Sequence, residues 1–181
     1  MQKLNLGCGL KKLENYLNVD NRESCRPNFV HDLNVFPYPW SDNSFSEIIL
    51  DHVIEHLNDP LNVLTELHRI SAPDGKIIIK CPHFSANWTH PGHKSAISVH
   101  LFDFFGDDSE EAYANINFQV EYLKLRWMRP GGKGKRAFIL FRFLSSVINF
   151  FASLSPSITE RLWAYNVGGF EEIEFRVKVI K

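Results

Sequence analysis

Short apolar runs that end at glycine or at polar residues recur along the first half of the chain. The clearest are Leu4–Leu6, Ile48–Leu50 and Ile77–Ile79, and weaker ones are Tyr16–Val19 and Phe29–His31. Runs of this kind are typical of strands that are buried on both faces, as in parallel sheets. Parallel strands need crossover connections, so the pattern predicts an α/β fold.

The best-marked helix lies between the runs at 48–50 and 77–79. Asp59 can cap its first turn, and Pro60 suits the first helical position. The segment Ala72–Gly75 contains Pro and Gly, which predicts the end of the helix. Four apolar residues recur at three-residue spacing and form one face: Leu61, Leu64, Leu67 and Ile70.

The last segment has a different pattern. From 171 to 181 apolar residues alternate with charged ones, which predicts a half-exposed antiparallel strand. The 181 residues contain no internal repeat and no low-complexity linker, so we expect residues 1–181 to form one domain. We therefore predict a doubly wound, mostly parallel, Rossmann-like sheet with a C-terminal antiparallel strand.

Charge and cysteine content limit the partners and the compartment. The formal net charge is -1, so no global field attracts nucleic acid, and no nucleic-acid partner is expected. Cys8, Cys25 and Cys81 have neither a paired nor a metal-binding spacing. The odd cysteine count and the lack of a recognisable signal peptide predict a cytoplasmic protein.

The residues that follow the first three strands form the candidate ligand site, because doubly wound folds bind ligands at the carboxyl ends of their strands. Gly7 and Gly9 permit positive φ and close approach of the backbone to a ligand. Asp20 can accept hydrogen bonds from both hydroxyls of a ribose. Asp32 can accept one from an adenine amino group, and Leu33 offers an amide or an apolar contact. These residues predict a nucleoside site.

A dinucleotide matches this site poorly. Its fingerprint needs a third glycine three residues after the second, and an acidic residue about 20 residues further on. Lys12 stands in place of that glycine, and Asp20 comes too early. A cofactor without a diphosphate, such as S-adenosylmethionine, does not have this requirement.

Six segments occur in a characteristic order: Leu4–Gly9, Asn18–Asp20, His31–Leu33, Ser41–Phe45, Asp51–Leu57 and Pro73–Lys76. This order resembles the class I S-adenosylmethionine-dependent methyltransferases, in the type 11-like subgroup with a shortened first helix. The resemblance covers roughly residues 3 to 105, with a looser similarity in the last strand. It implies S-adenosyl-L-methionine as the cofactor and methyl transfer as the activity.

The resemblance also implies a place for each cofactor-binding residue. Gly7, Cys8 and Gly9 would lie along the methionine moiety, Asp20 on the ribose and Asp32 near the adenine. The backbone around Asp51 would lie beside the amino-acid end. The implied acceptor is a small molecule, a sugar or a lipid-linked glycan, methylated on oxygen or nitrogen.

A group of histidines and a glutamate follows the fourth predicted strand. If this segment is helical, His52, Glu55 and His56 share a face at a spacing that can bind a metal, and His83 could be a fourth ligand. The segment resembles the Glu-x-x-Glu-His segment of metal-dependent O-methyltransferases, although His52 replaces the first glutamate. A helix-capping or substrate-lining role is the favoured alternative, with no metal.

Two more histidines, His90 and His93, lie in a loop after the fifth strand. His93 is the first candidate for a general base, with His52 the second, since an imidazole titrates near neutral pH. Exposed loop histidines without a catalytic role are the alternative. Because alignment of the reactants supplies much of the rate of methyl transfer, one general base would suffice.

A helical insertion, 134–167, is expected before the last strand. Its segment 137–154 is nearly long enough to span a membrane, but polar residues recur in it every three or four positions. Pro156 ends this helix, and Ser157–Glu160 resembles the capping box of a second one.

Three interpretations of 137–154 stay open. It could be a lid packed on the sheet or on the second subunit of a homodimer, or a membrane anchor. It could also be an interfacial helix that places the protein peripherally at the inner face of the membrane, with Arg126, Arg129, Lys133, Lys135 and Arg136 toward the headgroups.

The whole chain therefore predicts an S-adenosylmethionine-dependent methyltransferase. One alternative is a non-catalytic methyltransferase-fold subunit that binds a partner or a membrane. The other is a metal-dependent O-methyltransferase that uses His52, Glu55 and His56.

Overall fold

One seven-stranded sheet, in the order β3-β2-β1-β4-β5-β7-β6, organises the molecule. The computed structural model describes residues 1–87, 90–106, 115–127, 138–166 and 168–181, and for residues 87 and 138–142 it describes the backbone alone. The strands are β1 (Gln2–Leu6), β2 (Tyr16–Asp20), β3 (Phe29–Val30), β4 (Phe45–Asp51), β5 (Ser71–Cys81), β6 (Asn117–Arg126) and β7 (Glu172–Ile180).

The pairing of the strands confirms the predicted fold class. Strands β1 to β5 pair in parallel, and β7 pairs antiparallel with both β5 and β6. Strand β6 was not predicted from the sequence. A register shift between Val120 and Tyr122 accompanies a change of phase in its alternation of apolar and polar residues.

The core lies on the central strands. The inward side chains of β1, β4, β5 and β7 are at most 1% exposed: Leu4, Leu6, Ile48, Leu50, Ile77, Ile79, Phe175 and Val177. Burial of such side chains is the main favourable contribution to folding.

The predicted helix is α1 (Pro60–Ile70), and the Asp59 side chain accepts a hydrogen bond from the Asn62 amide, 3.0 Å away. Leu64, Leu67 and Ile70 are fully buried as expected. Leu61 is only partly buried, and Val63 is buried in addition, so the core-facing stripe is rotated slightly from the predicted one. The remaining helices are α2 (Phe84–Asn87), α3 (Phe138–Leu154) and α4 (Pro156–Thr159).

The first crossover lacks even the shortened helix that was expected. Residues 7–15, all of which the structure describes, contain no helix. Buried asparagines stabilise the loop instead. Asn5 Nδ2 donates to Asn18 Oδ1 (2.8 Å), which also accepts from the Leu13 amide (2.8 Å), and Asn18 Nδ2 donates to the Leu13 carbonyl (3.0 Å). These bonds satisfy backbone groups that a helix would otherwise pair.

The predicted insertion contains α3 and α4, followed by a π-helical turn, Glu160–Ala164. The expected capping box at Ser157–Glu160 is wrong. The helix begins two residues earlier, at Pro156, and Glu160 binds residues of another segment. Residues 128–137 of the basic segment and Val167 lie outside the described residues, and so does the side chain of Arg142.

Among the helices in the described part of the chain, we find none that is both long and apolar enough to cross a membrane.

Candidate functional site

Two neighbouring cavities open at the carboxyl ends of the strands. The first, the strand-end pocket, has a volume of about 420 Å³, and its lining includes Gly7, Asp20, Asp32 and Leu33. The second, the histidine pocket, has a volume of about 480 Å³ and is lined by residues that include Glu55, His90 and His93. His52 and His56 line both. Each volume suits a small molecule.

Glycine is required where β1 ends. Gly7 has a φ of +63°, and a Cβ atom on it would lie 2.4 Å from Cγ2 of Val53. Gly9 also has positive φ, and its amide donates to Oδ2 of Asp20 at 2.8 Å. The turn therefore passes close to Val53 and holds the end of β2. The predicted positive φ of the two glycines is confirmed.

Asp20 is 5% exposed and is held by its own chain. Besides Gly9, the amide and Nε of Arg22 donate to Oδ1 at 3.0 and 3.2 Å. Burial alone would raise the pKa of Asp20, but these hydrogen bonds together lower it, so the carboxylate is ionised at neutral pH. Arg22 also lines the strand-end pocket, so a ligand hydroxyl would compete with its exposed guanidinium for Asp20.

Asp32 and Leu33 lie in the same pocket. Oδ1 of Asp32 accepts from the amide and the Nδ2 of Asn34, both at 2.9 Å, and these bonds lower the pKa of Asp32. Leu33 is 5% exposed. One polar and one apolar side chain therefore face the same space, as an adenine site requires.

Three predicted cofactor residues are not in the lining. The described residues that line the strand-end pocket do not include Cys8, Gly9 or Asp51. Cys8 is buried, and its amide donates to the Val19 carbonyl at 2.9 Å, which joins the turn to β2. Asp51 forms an ion pair with Lys11 at 3.1 Å. A cofactor role for these residues stays a prediction.

Several lining residues were not predicted from the sequence: Asn21, Arg22, His31, Asn34 and Lys94. Nε2 of His31 is buried and has no hydrogen-bond partner among the described residues, and burial lowers the pKa of His31. Such orphaned polar atoms are uncommon in folded proteins and favour an external partner. The signal that could have found His31 and Arg22 is their position, within two residues of Asp32 and Asp20.

The predicted helical face of His52, Glu55 and His56 is wrong. Residue His52 has a φ of +58°, and only a 3-10 turn, Ile54–His56, follows it. The His52 amide donates to the Lys80 carbonyl at 2.8 Å, so the chain is still bonded to β5 where a helix would have to begin. The left-handed conformation is unusual for a non-glycine residue and is often found at functional sites.

Carboxylates surround the His52 ring. Nδ1 lies 3.3 Å from Oε1 of Glu55, and Nε2 lies 3.1 Å from Oε2 of Glu172 and 3.9 Å from Oδ1 of Asp51. Glu172 begins β7, far away in the sequence, and sequence reasoning missed it. The ring is therefore held between carboxylates of two distant segments, with Nε2 at hydrogen-bond distance from Glu172.

His56, His90 and His93 form a second cluster, hereafter the histidine cluster. Their potential ligand atoms all lie within 4.8 Å of one another. The ring centroid of His93 lies 4.8 Å from that of each of the other two histidines. The loop is tied to the 3-10 turn, because the amide of Lys94 donates to the Glu55 carbonyl at 2.7 Å. The structure thus confirms that the loop after β5 reaches the segment after β4.

His83 does not belong to this cluster, which corrects the predicted metal set of His52, Glu55, His56 and His83. The His83 side chain is fully buried, with Nδ1 2.6 Å from Ser85 Oγ and Nε2 3.0 Å from Glu160 Oε2. Both ring nitrogens are therefore already used. Its position directly after β5 suggested that His83 is a metal ligand, but the side chain points toward the insertion instead.

Comparison with known proteins finds a similarity to methyltransferases. A sequence model of the methyltransferase domain matches residues 9–79, which extend from the glycine turn to β5. No curated protein matches the sequence.

Solved structures share the fold. An S-adenosylmethionine-dependent methyltransferase from Archaeoglobus fulgidus is 14% identical with a TM-score of 0.57, over 98% of this chain and 85% of that one. Another, from Mesorhizobium loti, is 11% identical with a TM-score of 0.56, over 98% and 90%. The 4+2 cyclase SpnF is 13% identical with a TM-score of 0.57, over 99% and 74%. At these identities the similarity establishes the fold alone.

Proposed function

We propose that this chain is a class I S-adenosylmethionine-dependent methyltransferase, which transfers a methyl group from S-adenosylmethionine to an oxygen or nitrogen of a small polar acceptor. One observation carries the proposal: His52 and His56 line both cavities. A donor in the strand-end pocket and an acceptor in the histidine pocket would therefore meet at these side chains, which is the arrangement that group transfer requires.

The strand-end pocket has the hydrogen-bond acceptors that a nucleoside needs. Asp20 is an ionised acceptor for ribose hydroxyls, and Asp32 is an acceptor for the adenine amino group. Nε2 of His31 is a buried polar atom that has no partner in the described chain. The bound cofactor supplies a methyl group on a positively charged sulfur. The Gly7 turn, Cys8, Gly9 and Asp51 are proposed to hold its amino-acid portion.

The histidine pocket supports a polar acceptor. Its lining combines imidazoles with the carboxylates of Glu55 and Glu171, which can hydrogen-bond hydroxyl or amino groups. His93 and His52 are the proposed general bases, since each lines this pocket and can accept the proton that an acceptor hydroxyl releases. We propose a small molecule, a sugar or a lipid-linked glycan as the acceptor.

Exposed apolar side chains on α3 and the turn after it support a lipid-linked form of the acceptor. Phe150, Phe151, Leu154 and Leu162 are each at least 60% exposed. Such a patch marks an interaction surface. Peripheral membrane contact through 137–154, a homodimer and the cytoplasmic location stay predictions.

Calorimetry with S-adenosylmethionine and S-adenosylhomocysteine tests the proposal directly. We expect one molecule bound per chain, and release of S-adenosylhomocysteine, followed by mass spectrometry, when polar acceptors are supplied. Absence of binding at millimolar cofactor would contradict the proposal. Binding without turnover on sugars, small hydroxylated molecules and lipid extracts would instead support the non-catalytic alternative, since a shared fold does not determine the reaction.

A further inference from the structure

The histidine cluster has the composition of a metal site. His56, His90 and His93 bring three potential ligand atoms within 4.8 Å of one another. A zinc ion binds imidazole nitrogen at about 2.0–2.1 Å in a tetrahedral geometry, which places the nitrogens about 3.4 Å apart. His90 and His93 belong to the same short loop, so small rotations of their rings would shorten the separation from 4.8 Å to about 3.4 Å.

A hydrogen bond sets the His56 ring for metal binding, and the His90 ring has an unprotonated nitrogen. Nδ1 of His56 lies 2.9 Å from the Gly92 carbonyl, which can only accept, so Nδ1 carries the proton and Nε2 is left unprotonated in the neutral ring. Nδ1 of His90 accepts from the Gly92 amide at 3.1 Å and is therefore itself unprotonated. A metal ion would take this nitrogen in exchange for the amide. A ring whose other nitrogen donates to a carbonyl is the usual form of a metal-binding histidine.

The carboxylate of Glu55 lies behind the cluster. It is fully buried, and neither of its oxygens accepts a hydrogen bond from the described residues. Its Oε1 lies 4.0 Å from Nε2 of His93 and 3.3 Å from Nδ1 of His52. A buried carboxylate without a hydrogen bond destabilises the fold, so it needs a compensating cation or donor. A histidine-bound cation would provide one, with Glu55 orienting His93.

We propose that His56, His90 and His93 bind one divalent transition-metal ion, best matched by Zn²⁺, at the wall of the histidine pocket. Three imidazoles suit zinc and its neighbours in the first transition series, whereas Mg²⁺ and Ca²⁺ prefer oxygen ligands. Three protein ligands leave a fourth position for an oxygen or nitrogen ligand. The histidine pocket contains all three ligands, so this position would be available to a hydroxyl or carboxylate of an acceptor. With the metal bound His93 is a ligand, so His52 would be the general base of the proposed reaction.

Calorimetric titration of ZnCl₂ into the tag-free, chelator-treated full chain tests this site. We expect one Zn²⁺ per chain. His90→Ala and His93→Ala should each weaken binding by at least about tenfold, since even the loss of outer partners of metal ligands has effects of this size. His100→Ala is the matched control: His100 is half-exposed, pairs with Asp103 and lies outside the cluster, so Zn²⁺ affinity should not change.

Glu55→Gln separates a metal site from a purely structural cluster. The substitution removes a buried charge, so the melting temperature of the metal-free protein should rise or stay unchanged, whereas Zn²⁺ affinity should fall by about 10–100-fold. Absence of stoichiometric Zn²⁺ binding, or equal affinity in wild type, His90→Ala and His93→Ala, would overturn the proposal. Binding of S-adenosylmethionine, measured on the same samples, reports on the proposed methyltransferase function independently of this result.

Discussion

At the scale of single residues, backbone conformation and buried charge define the strand-end pocket. Gly7 adopts a conformation that other residues rarely adopt, directly against Val53. Asp20 receives two backbone amides and one guanidinium nitrogen, so its position is set before any ligand binds. Such preorganisation reduces the entropic cost of binding.

Gly7→Ala should destabilise the protein and impair cofactor binding. The left-handed conformation costs a side-chain-bearing residue about 1–2 kcal/mol, and the new Cβ would meet Cγ2 of Val53 at 2.4 Å. The control is Gly168→Ala, because a Cβ at Gly168 meets nothing within 4 Å. Chemical denaturation and calorimetry would measure the two effects. Equal stability of both variants would show that the turn relaxes without cost.

Asp20→Asn should weaken S-adenosylmethionine binding by about 10–150-fold, because a hydrogen bond to a charged group contributes about 1.5–3 kcal/mol. The matched control is Asp103→Asn, an exposed aspartate outside the strand-end pocket that pairs with His100. Calorimetry would compare the dissociation constants. An unchanged constant for Asp20→Asn would remove Asp20 from the cofactor site.

At the scale of elements, charged side chains of helix α1 hydrogen-bond a loop that has no regular structure. Glu66 and Arg69 of α1 hold the loop at 38–42: Glu66 accepts from the Tyr38 amide at 2.6 Å, and Arg69 donates to the Trp40 carbonyl at 2.9 Å. This loop leads from the strand-end pocket to β4. Helix α1 therefore contributes to the site without lining it.

Glu66→Gln should lower the free energy of unfolding by about 1.5–3 kcal/mol at pH 7. Hydrogen bonds from Arg69 lower the pKa of Glu66 in the folded protein. The resulting stability is present above the ordinary carboxyl pKa of about 4.3 and is lost as pH falls through the lower, folded-state pKa.

Urea denaturation between pH 3 and 7 would show wild type and Glu66→Gln converging at low pH. The control is Asp42→Asn, which removes the exposed acceptor of the same arginine and should change stability by less than about 1 kcal/mol. A constant difference between wild type and Glu66→Gln over the whole pH range would contradict the ionic origin of the effect.

Glu160→Gln should loosen the insertion. Glu160 is 3% exposed and accepts from His83 Nε2 (3.0 Å), Ser98 Oγ (2.8 Å) and the Val99 amide (2.8 Å). We expect a loss of about 1.5–3 kcal/mol and faster amide exchange in 156–164. Ser157→Ala is the control and should stay within about 0.5 kcal/mol, because Ser157 does not cap the helix. The opposite ranking would restore the capping-box interpretation.

At the scale of the whole molecule, the apolar face of α3 and of the turn after α4 is exposed. It carries Phe143, Phe150, Phe151, Leu154 and Leu162, each at least 60% exposed. Exposed apolar surface of this kind favours association. This face is therefore a candidate contact with a second copy, as well as with a lipid-linked acceptor.

Phe150→Ser together with Phe151→Ser should reduce self-association. We expect the wild type to show a concentration-dependent increase in mass by light scattering and the double variant to stay monomeric. Val35→Ser, which removes an apolar side chain that is 57% exposed in another loop, is the control and should behave like the wild type. A monomeric wild type that binds phospholipid vesicles would assign the face to a membrane surface instead.

The positions of the buried strands along the sequence were predictable, because each is a short apolar run that ends at glycine or a polar residue. The same signal placed Gly7, Asp20 and Asp32 at one edge, and the structure brings Gly7, Asp20, Asp32 and Leu33 into one pocket. These predictions depended only on residues that are adjacent in the sequence, and such short-range patterns are sufficient to specify strands and their ends. Strand β6 was missed, and its alternation changes phase near the register shift between Val120 and Tyr122.

The histidines show the opposite case. His83, beside β5, was expected at the site but pairs with Glu160, while His90 and His93 reach His56 through an irregular loop. Their partners lie tens of residues away, and no spacing in the chain encodes which loop folds toward which. Local periodicity therefore specifies the sheet and its ligand-binding edge. The partners of each titratable side chain depend on long-range packing, which exists only once the loops have been placed on that sheet.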